Sequence, residues 1–254
     1  PYDFQDSDIT ISGTIKPLDG LSNEEKSRRE HNLGKLASAA TGETLMVGIN
    51  STGGYLNNAE EILHNMFNSR GTILTYAKKN ASSAASLILV AGHKGYRFIE
   101  EGTRLVIHAV RNTVLKQDKD GNYIKDNNGN YIVEELKFQE DYDIGGEDWK
   151  RLDRSNNKVR ALYIKQSMTF INWDCARELI KGKNDNPIIC ETALKLGFAD
   201  ACINIEESTM TMRDNKATKF TTVQAPIGLH DFTPATFSSS NGIFDTANPS
   251  LSHP

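Results

Sequence analysis

The feature that most constrains the fold of this chain is an alternation of strand-like and helix-like patterns between residues 44 and 108. The run 44–49 (TLMVGI) suits a buried strand, and apolar residues at helical spacing follow it. A second cycle contains a strand-like run at 71–76, an apolar helix at 83–91 and a strand-like run at 104–108. Strands that alternate with helices form right-handed βαβ units, so the sequence predicts an α/β fold with a mostly parallel sheet. The predicted buried face of the first helix consists of Ala59, Ile62, Leu63, Met66 and Phe67.

Local signals add further elements on both sides of this alternation. Residues 9–13 (ITISG) alternate like a short strand, and 22–25 (SNEE) have capping-box spacing at a helix start. A long helix is predicted from Lys158, a short helix over 191–196 and a closing strand over 201–205. The inward positions predicted for the helix after the capping box are Leu33 and Leu36, and those for the long helix are Val159, Leu162, Tyr163 and Phe170.

Two segments depart from the alternating pattern. Within 111–157, the sequence DGNYI at 120–124 recurs nearly intact as NGNYI at 128–132, and these turn residues between β-formers predict an inserted β-hairpin. From about Asp214 the chain is rich in Ser, Thr and Asn and holds four of the seven prolines. We therefore expect one domain over 1–210, which includes this insertion, and an extended or disordered low-complexity tail over 211–254.

Charge and hydropathy argue against several partners. The net charge is −4 and no basic run occurs, so nothing in the composition favours nucleic acid or an anionic membrane. The most apolar stretch, 84–91, is far too short to span a bilayer, and no signal-peptide pattern opens the sequence. The three cysteines, Cys175, Cys190 and Cys202, lack metal-ligand spacing. We expect buried thiols in a reducing, cytoplasmic setting, with no metal and no cofactor.

Three local features are candidates for chemistry. Residues 50–54 (NSTGG) link a strand to a helix, and paired glycines there can turn tightly and present amides to an anion. Ser83 begins the apolar helix, where it is either a nucleophile beside the amide of Ala84 or, like Ser82, a simple N-cap. His108 ends a strand, where α/β sheets place their ligands, although a histidine there can also be structural.

Together these features resemble the Clp protease proteolytic subunit (ClpP) family. That family shows a strand that ends in NSPGG, a helix, the sequence ASMGA before an apolar helix, AGxKGxR after it, and a strand that ends in Ile-His. The matching segments run without a gap from 49 to 108: 50–54 (NSTGG), 82–85 (SSAA), 91–97 (AGHKGYR) and 104–108 (RLVIH). The resemblance implies a ClpP/crotonase-like ββα spiral with a hairpin inserted in the handle region, and a serine peptidase.

The resemblance also implies a catalytic triad. The family spacing to residues 91–92 selects Ser83 as the nucleophile, with His108 as the base. The family's aspartate precedes a short helix and a Gly-Leu-x-Asp-like turn, which 191–200 (ETALKLGFAD) match, and the family interval leads back to Asp185. Asp174 and Glu178 lie upstream and compete for this role.

The oxyanion hole implied by the family uses backbone amides, here those of Gly53 or Gly54 together with Ala84. These motifs depart from the family at several positions, three of which bear on the site. Thr52 stands in place of proline, Ala84 in place of methionine and Ala85 in place of glycine. Because the hole uses main-chain groups, Ala84 retains the required donor.

The family further implies polypeptide substrates and a homo-oligomeric ring, a heptamer or a tetradecamer. It also implies a separate AAA+ ATPase, since this sequence contains no P-loop motif. A phage-type head-maturation protease that cuts scaffold proteins would have the same fold and is the second hypothesis. The sequence also leaves open a crotonase-like acyl-CoA enzyme, a non-catalytic structural subunit and a Ser/Lys dyad that uses Lys94.

Overall fold

The computed structural model describes residues 7–127, 131–167, 171–207, 209–212 and 217–219. The helices within these residues are α1 (Asn23–Ser38), α2 (Leu56–Asn68), α3 (Ala84–Val90), α4 (Glu147–Gln166), α5 (Trp173–Leu179) and α6 (Cys190–Leu196). The strands are β1 (Ile9–Ile15), β2 (Thr44–Gly54), β3 (Thr72–Ser82), β4 (Arg97–Glu100), β5 (Arg104–Ile107), β6 (Asn112–Leu115), β7 (Val133–Lys137), β8 (Asn186–Ile188), β9 (Ala201–Asn204), β10 (Thr209–Met212) and β11 (Ala217–Lys219).

Most strands join one sheet in the order β1-β2-β3-β4-β9-β10-β11, and β5 and β8 branch from it at β3. The pairs β1–β2, β2–β3, β3–β4, β3–β5 and β4–β9 are parallel. The pairs that β8 and β10 make are antiparallel. The predicted α/β fold with a mostly parallel sheet is therefore confirmed.

Strand β3 changes partner halfway along its length. Its residues 75–77 pair with β4, whereas residues 80–82 pair with β5. Between the two lies Lys79 with φ 65°, a left-handed conformation that costs a side-chain-bearing residue about 1–2 kcal/mol. This irregularity lets the end of β3, which leads to Ser83, leave the main sheet and join β5 and β8.

Helix α3 is the centre of the core. All seven of its residues are buried, as its apolar sequence predicts, and most buried apolar residues of the other helices belong to the same cluster. The capping box at Ser22 is confirmed, since Ser22 Oγ accepts from Glu25 N and Glu25 returns the bond. One residue of the predicted α2 stripe is wrong: Phe67 is 46% exposed. No helix among the described residues is long and apolar enough to cross a membrane.

The predicted inserted hairpin is present as the antiparallel pair β6–β7. Isolated bridges continue it, and one of them joins Gln117 to Tyr123. The long helix α4 begins at Glu147 and not at Lys158, so it occupies the last part of the predicted insertion. In its predicted buried stripe, Val159 and Tyr163 are buried and Leu162 is half-buried. Phe170 lies outside the described residues.

The end of the chain and the cysteines differ from expectation. Strand β9 does not close the sheet, because β10 and β11 extend it, and the tail boundary predicted at 211 falls inside β10. Residues 220–254 lie outside the described residues. The expectation of three buried thiols is wrong: Cys190 and Cys202 form a disulfide, and Cys175 is exposed. The disulfide joins the start of α6 to β9, two elements that lie next to each other in the fold.

Candidate active site

Ser83 lies at the junction of β3 and α3 in a strained conformation. Its φ is 56° and its ψ is −127°, a region that residues with a side chain rarely adopt. The neighbouring strand holds it there, because Ser83 N donates to Val106 O of β5 at 2.7 Å. The sharp turn leaves Ser83 only half-buried while the helix behind it is wholly buried.

The side chains of Ser82 and Ser83 do not cap α3. Ser83 occupies the N-cap position of α3, yet its side chain makes no capping hydrogen bond within the described part of the chain. The hydroxyl of Ser82 donates to Arg104 O at 3.2 Å, so it fastens β3 to β5. Neither serine therefore caps α3 through its side chain. Within the described part of the chain, the Ser83 hydroxyl makes no hydrogen bond that stabilises the helix.

His108 follows the last residue of β5, beside the end of β3. Its Nδ1 lies 2.7 Å from Ala109 O. A carbonyl can only accept, so Nδ1 carries the proton and the neutral ring has its lone pair on Nε2. Nε2 is buried and has no hydrogen-bond partner among the described residues. Burial lowers the pKa of His108, and the charge of Arg111 lowers it further, against opposite effects of Ala109 and Asp185. This imidazole is suited to accept a proton.

The pairing of β5 with β8 ends directly next to His108 and Asp185. Antiparallel β5 and β8 pair Leu105 with Ile188, Val106 with Pro187 and Ile107 with Asn186. One further step in this register would place His108 opposite Asp185, and both residues lie just beyond the paired strands. Ser83, His108 and Asp185 thus stand at the ends of three adjacent strands, β3, β5 and β8.

The hydrogen bonds of a working triad are not formed among the described residues: none joins Ser83 to His108 or His108 to Asp185. Asp185 is exposed, and its Oδ1 lies 3.5 Å from an Arg111 terminal nitrogen. The Arg111 guanidinium also lies over the ring of Phe138, 5.9 Å from its centre. Arg111 therefore holds the carboxylate while the Ala109 carbonyl holds the imidazole.

The two glycines of residues 50–54 face different neighbours. A Cβ atom on Gly53 would lie 2.6 Å from Ser83 Cβ and 2.9 Å from Ala84 N, whereas one on Gly54 would lie 2.2 Å from Ile15 O. Gly53 is therefore the glycine that packs against the predicted nucleophile. Its amide donates to Ser51 Oγ at 3.1 Å. The amide of Ala84, the first residue of α3, belongs to the helix N-terminus, where amides have no acceptor within the helix.

The competing residues lie in less suitable places. Both acids are on α5 and are exposed. Asp174, in the first turn, pairs with Arg177, and Glu178, near the end of the helix, pairs with Lys181. Lys94 follows the far end of α3, and its ammonium donates to Ser167 O at 3.4 Å. The seven residues of α3 separate it from Ser83 by about 10 Å along the axis.

Sequence reasoning missed three residues that touch this site or its supports. Arg111 follows the histidine by three positions, and no pattern marks it. Ser86 and Tyr163 were assigned only to the buried faces of their helices, but their hydroxyls lie 2.8 Å apart beneath Ser83. A serine inside an otherwise apolar helix was the available signal, because a fully buried hydroxyl requires a partner.

The family model described as Clp protease matches residues 18–127. The match includes β2, α2, β3, α3 and β5, and with them Gly53, Ser83 and His108. Asp185 lies beyond it. The matched region therefore contains the predicted nucleophile and base and the glycine that packs against the nucleophile.

Proposed function

We propose that this chain, a ClpP-like peptidase family member, hydrolyses peptide bonds through Ser83, His108 and Asp185. The observation that carries the proposal is the strained conformation of Ser83 at the start of a buried helix, beside a histidine whose buried Nε2 has no partner among the described residues. Strained, non-glycine positions persist where the surrounding structure holds them, and they cluster at active sites.

In the proposed reaction, Ser83 Oγ attacks the scissile carbonyl carbon and its proton passes to His108 Nε2. The tetrahedral intermediate collapses when His108 returns the proton to the leaving amine, which leaves an acyl group on Ser83. A water molecule, deprotonated by His108, then attacks the acyl carbonyl carbon. The bond to Ser83 Oγ breaks, His108 returns the proton to Ser83 Oγ, and the acyl group leaves as a carboxylic acid. The amide of Ala84 stabilises the oxyanion in both steps, together with the amide of Gly54 or with that of Gly53, which would first have to leave Ser51 Oγ.

The arrangement of His108 and Asp185 supports a resting state that rearranges before catalysis. The imidazole Nδ1–H has to turn from the Ala109 carbonyl to the Asp185 carboxylate, and Asp185 has to leave Arg111. Both changes are local, because the neighbours of the two residues, Ile107 and Asn186, pair across β5 and β8. Asp185 would then orient the ring and stabilise its charged form.

We further propose that the chain works as a homo-oligomer, a ring of the ClpP kind, and that a separate ATPase or a scaffold protein delivers polypeptides to it. The family match supports this assembly. The β6–β7 hairpin is a candidate contact between subunits, since Tyr123, Tyr131 and Val133 expose about half of their surface. Light scattering after size-exclusion chromatography tests this point, and a monomer would contradict it.

A fluorophosphonate probe tests the peptidase itself. We expect covalent labelling at Ser83, identified by peptide mass spectrometry, and loss of both labelling and peptide hydrolysis in Ser83→Ala. The matched control is Ser82→Ala, because the Ser82 hydroxyl binds the β5 backbone and its removal should leave labelling intact. A folded protein that takes up no probe would contradict the proposal and favour an acyl-CoA enzyme or a structural subunit.

A further inference from the structure

Two buried hydroxyl groups beneath the nucleophile form a chain that the proposed reaction does not use. Ser86 Oγ lies 2.5 Å from the carbonyl oxygen of Ser83 and 2.8 Å from the hydroxyl of Tyr163. The exposed fractions of Ser86 and Tyr163 are 0% and 1%. Tyr163 is on α4 and packs against Phe198, with ring centres 4.9 Å apart, so α4 delivers its hydroxyl to the start of α3.

The direction of these hydrogen bonds follows from counting protons. The Ser83 carbonyl can only accept, so the single hydroxyl proton of Ser86 points at it. The Tyr163 hydroxyl must therefore donate to Ser86 Oγ. Burial raises the pKa of the Tyr163 phenol well above its ordinary range, so the phenol keeps this proton at neutral pH. Hydrogen-bond donation therefore runs in one direction, from Tyr163 through Ser86 to Ser83.

This chain of hydrogen bonds ends at the peptide unit that joins Ser83 to Ala84. A peptide unit is planar and trans, so its carbonyl and its N–H point in opposite directions. The same carbonyl also accepts from Ser86 N at 2.9 Å, which gives it two donors from one residue. Fixing the Ser83 carbonyl therefore fixes the direction of the Ala84 N–H, the proposed oxyanion donor. Donation to the carbonyl also polarises the unit and strengthens that N–H as a donor.

We propose that Ser86 and Tyr163 are positioning residues, which aim the Ala84 amide at the oxyanion through the Ser83 carbonyl. This inference rests on the proposed peptidase function and assigns a role to two residues that touch no substrate. Since the amide meets a negative charge only in the transition state, misdirection of it should slow the chemical step and leave substrate affinity unchanged.

The test compares kcat and KM for a fluorogenic peptide among single and double variants of the full chain. Loss of an oxyanion donor lowers kcat by roughly 100- to 1,000-fold, and a misaimed donor should cost less, about 10-fold in Ser86→Ala. Tyr163→Phe should have a smaller effect, because the Ser86 hydroxyl still reaches the Ser83 carbonyl. The double variant should match Ser86→Ala, since both residues act through one bond. KM should stay constant throughout.

The matched control is Thr75→Val. Thr75 is also fully buried, and its hydroxyl donates to Leu89 O, a carbonyl at the other end of α3, at 2.8 Å. This variant removes the same kind of bond and should leave kcat unchanged, with urea unfolding curves used to compare all variants at equal folded fractions. If Ser86→Ala has the kcat of Thr75→Val, or changes KM alone, the inference is wrong while the peptidase stands. If the wild-type protein hydrolyses nothing, the proposed function itself fails.

Discussion

Gly53 shows how closely one residue controls the geometry around Ser83. A Cβ atom at this position would lie 2.4 Å from Ser82 O and 2.6 Å from Ser83 Cβ. Because the first of these atoms belongs to the backbone, a side chain at 53 has to displace the β3–α3 junction. The glycine is required both by this contact and by its φ of 88°.

We predict that Gly53→Ala slows fluorophosphonate labelling of Ser83 by roughly 100-fold, because displacement of the junction removes the oxyanion geometry. Gly42→Ala is the matched control. Gly42 has nearly the same φ, 89°, but a Cβ atom there meets none of the described residues within 4 Å. Both variants carry the cost of a left-handed alanine, about 1–2 kcal/mol, in urea unfolding. Equal labelling rates in the two variants would contradict the role given to Gly53.

Arg111 controls the charge around His108. Its cation lowers the pKa of the imidazole, after the larger effect of burial, and it also contacts the Asp185 carboxylate at 3.5 Å. His108 acts as a base only when neutral. Activity should therefore rise with pH as His108 loses its proton. This acid limb of the pH profile should lie at lower pH than it would for an ordinary histidine.

In Arg111→Gln we predict that the acid limb of kcat/KM moves to higher pH, because a cation that disfavours the imidazolium is gone. The plateau should rise as well, since Asp185 becomes free to orient His108. Arg111→Lys keeps the charge and should leave the limb close to its original position. A pH–rate profile measured for the three proteins decides the point, and a limb that moves to lower pH would contradict it.

Among the elements, β4 and the turn before β9 are joined by a buried ion pair. Arg97 Nε and a terminal nitrogen donate to the two carboxylate oxygens of Asp200 at 2.8 and 2.7 Å. The other terminal nitrogen donates to Gln166 O at 2.7 Å, which holds the end of α4. The Arg97 side chain is completely buried. Three elements around the core therefore depend on one guanidinium.

We predict that Asp200→Asn lowers the free energy of unfolding by about 3–5 kcal/mol, because it leaves a buried cation without its counter-charge. Chemical denaturation in urea measures the change. Glu191→Gln is the control, since it breaks an exposed pair with Lys195 and should leave the unfolding midpoint unchanged. Equal midpoints for the two variants would show that the Arg97 charge finds another partner.

The sequence predicted elements best where a local signal coincided with burial. The capping box of α1, the apolar run of α3 and the end of the short helix at Leu196 are all present. The start of α4 was missed, although Gly146 at the N-cap and acids in the first turn marked it. Local patterns marked Ser83 and His108, each at the end of an element, only as candidates, and the family resemblance selected them.

Tertiary contacts account for most of what the sequence could not predict. Asp200 was only a reference point for locating Asp185, and its pairing with Arg97 depends on two segments about a hundred residues apart. The contact of Arg111 with Asp185 likewise joins distant segments. The position of Gly53 against Ser83 follows from the register of β2 and β3, which the composition of either strand does not determine.

At the scale of the whole molecule, the disulfide between Cys190 and Cys202 is the largest departure from expectation. It closes a short loop with a sequence separation of 12 residues and joins α6 to β9. Since disulfides persist in oxidising surroundings, this bond bears directly on the predicted reducing compartment. Three cysteines allow one pair at most, and their spacing alone does not show which two lie close together in the fold.

We predict one reactive thiol, that of Cys175, in the native protein without reductant, and three after reduction and unfolding. Titration with a chromogenic disulfide reagent counts them. Reduction should lower the free energy of unfolding by about 2–3 kcal/mol, since a loop of this length confines the unfolded chain by roughly that amount. A count of three thiols before reduction would show that the bond does not form in solution.

The branching of the sheet has a consequence for the synthesis of the chain. Ser83 and His108 belong to the segment that ends just after β5, whereas Asp185 directly precedes β8, a three-residue strand made much later. A nascent chain that has completed β5 carries the proposed nucleophile and base but not their acidic partner. If the triad acts as proposed, full activity is therefore delayed until β8 pairs with β5, and the ribosome-bound chain is protected from its own chemistry by the order in which its strands are translated.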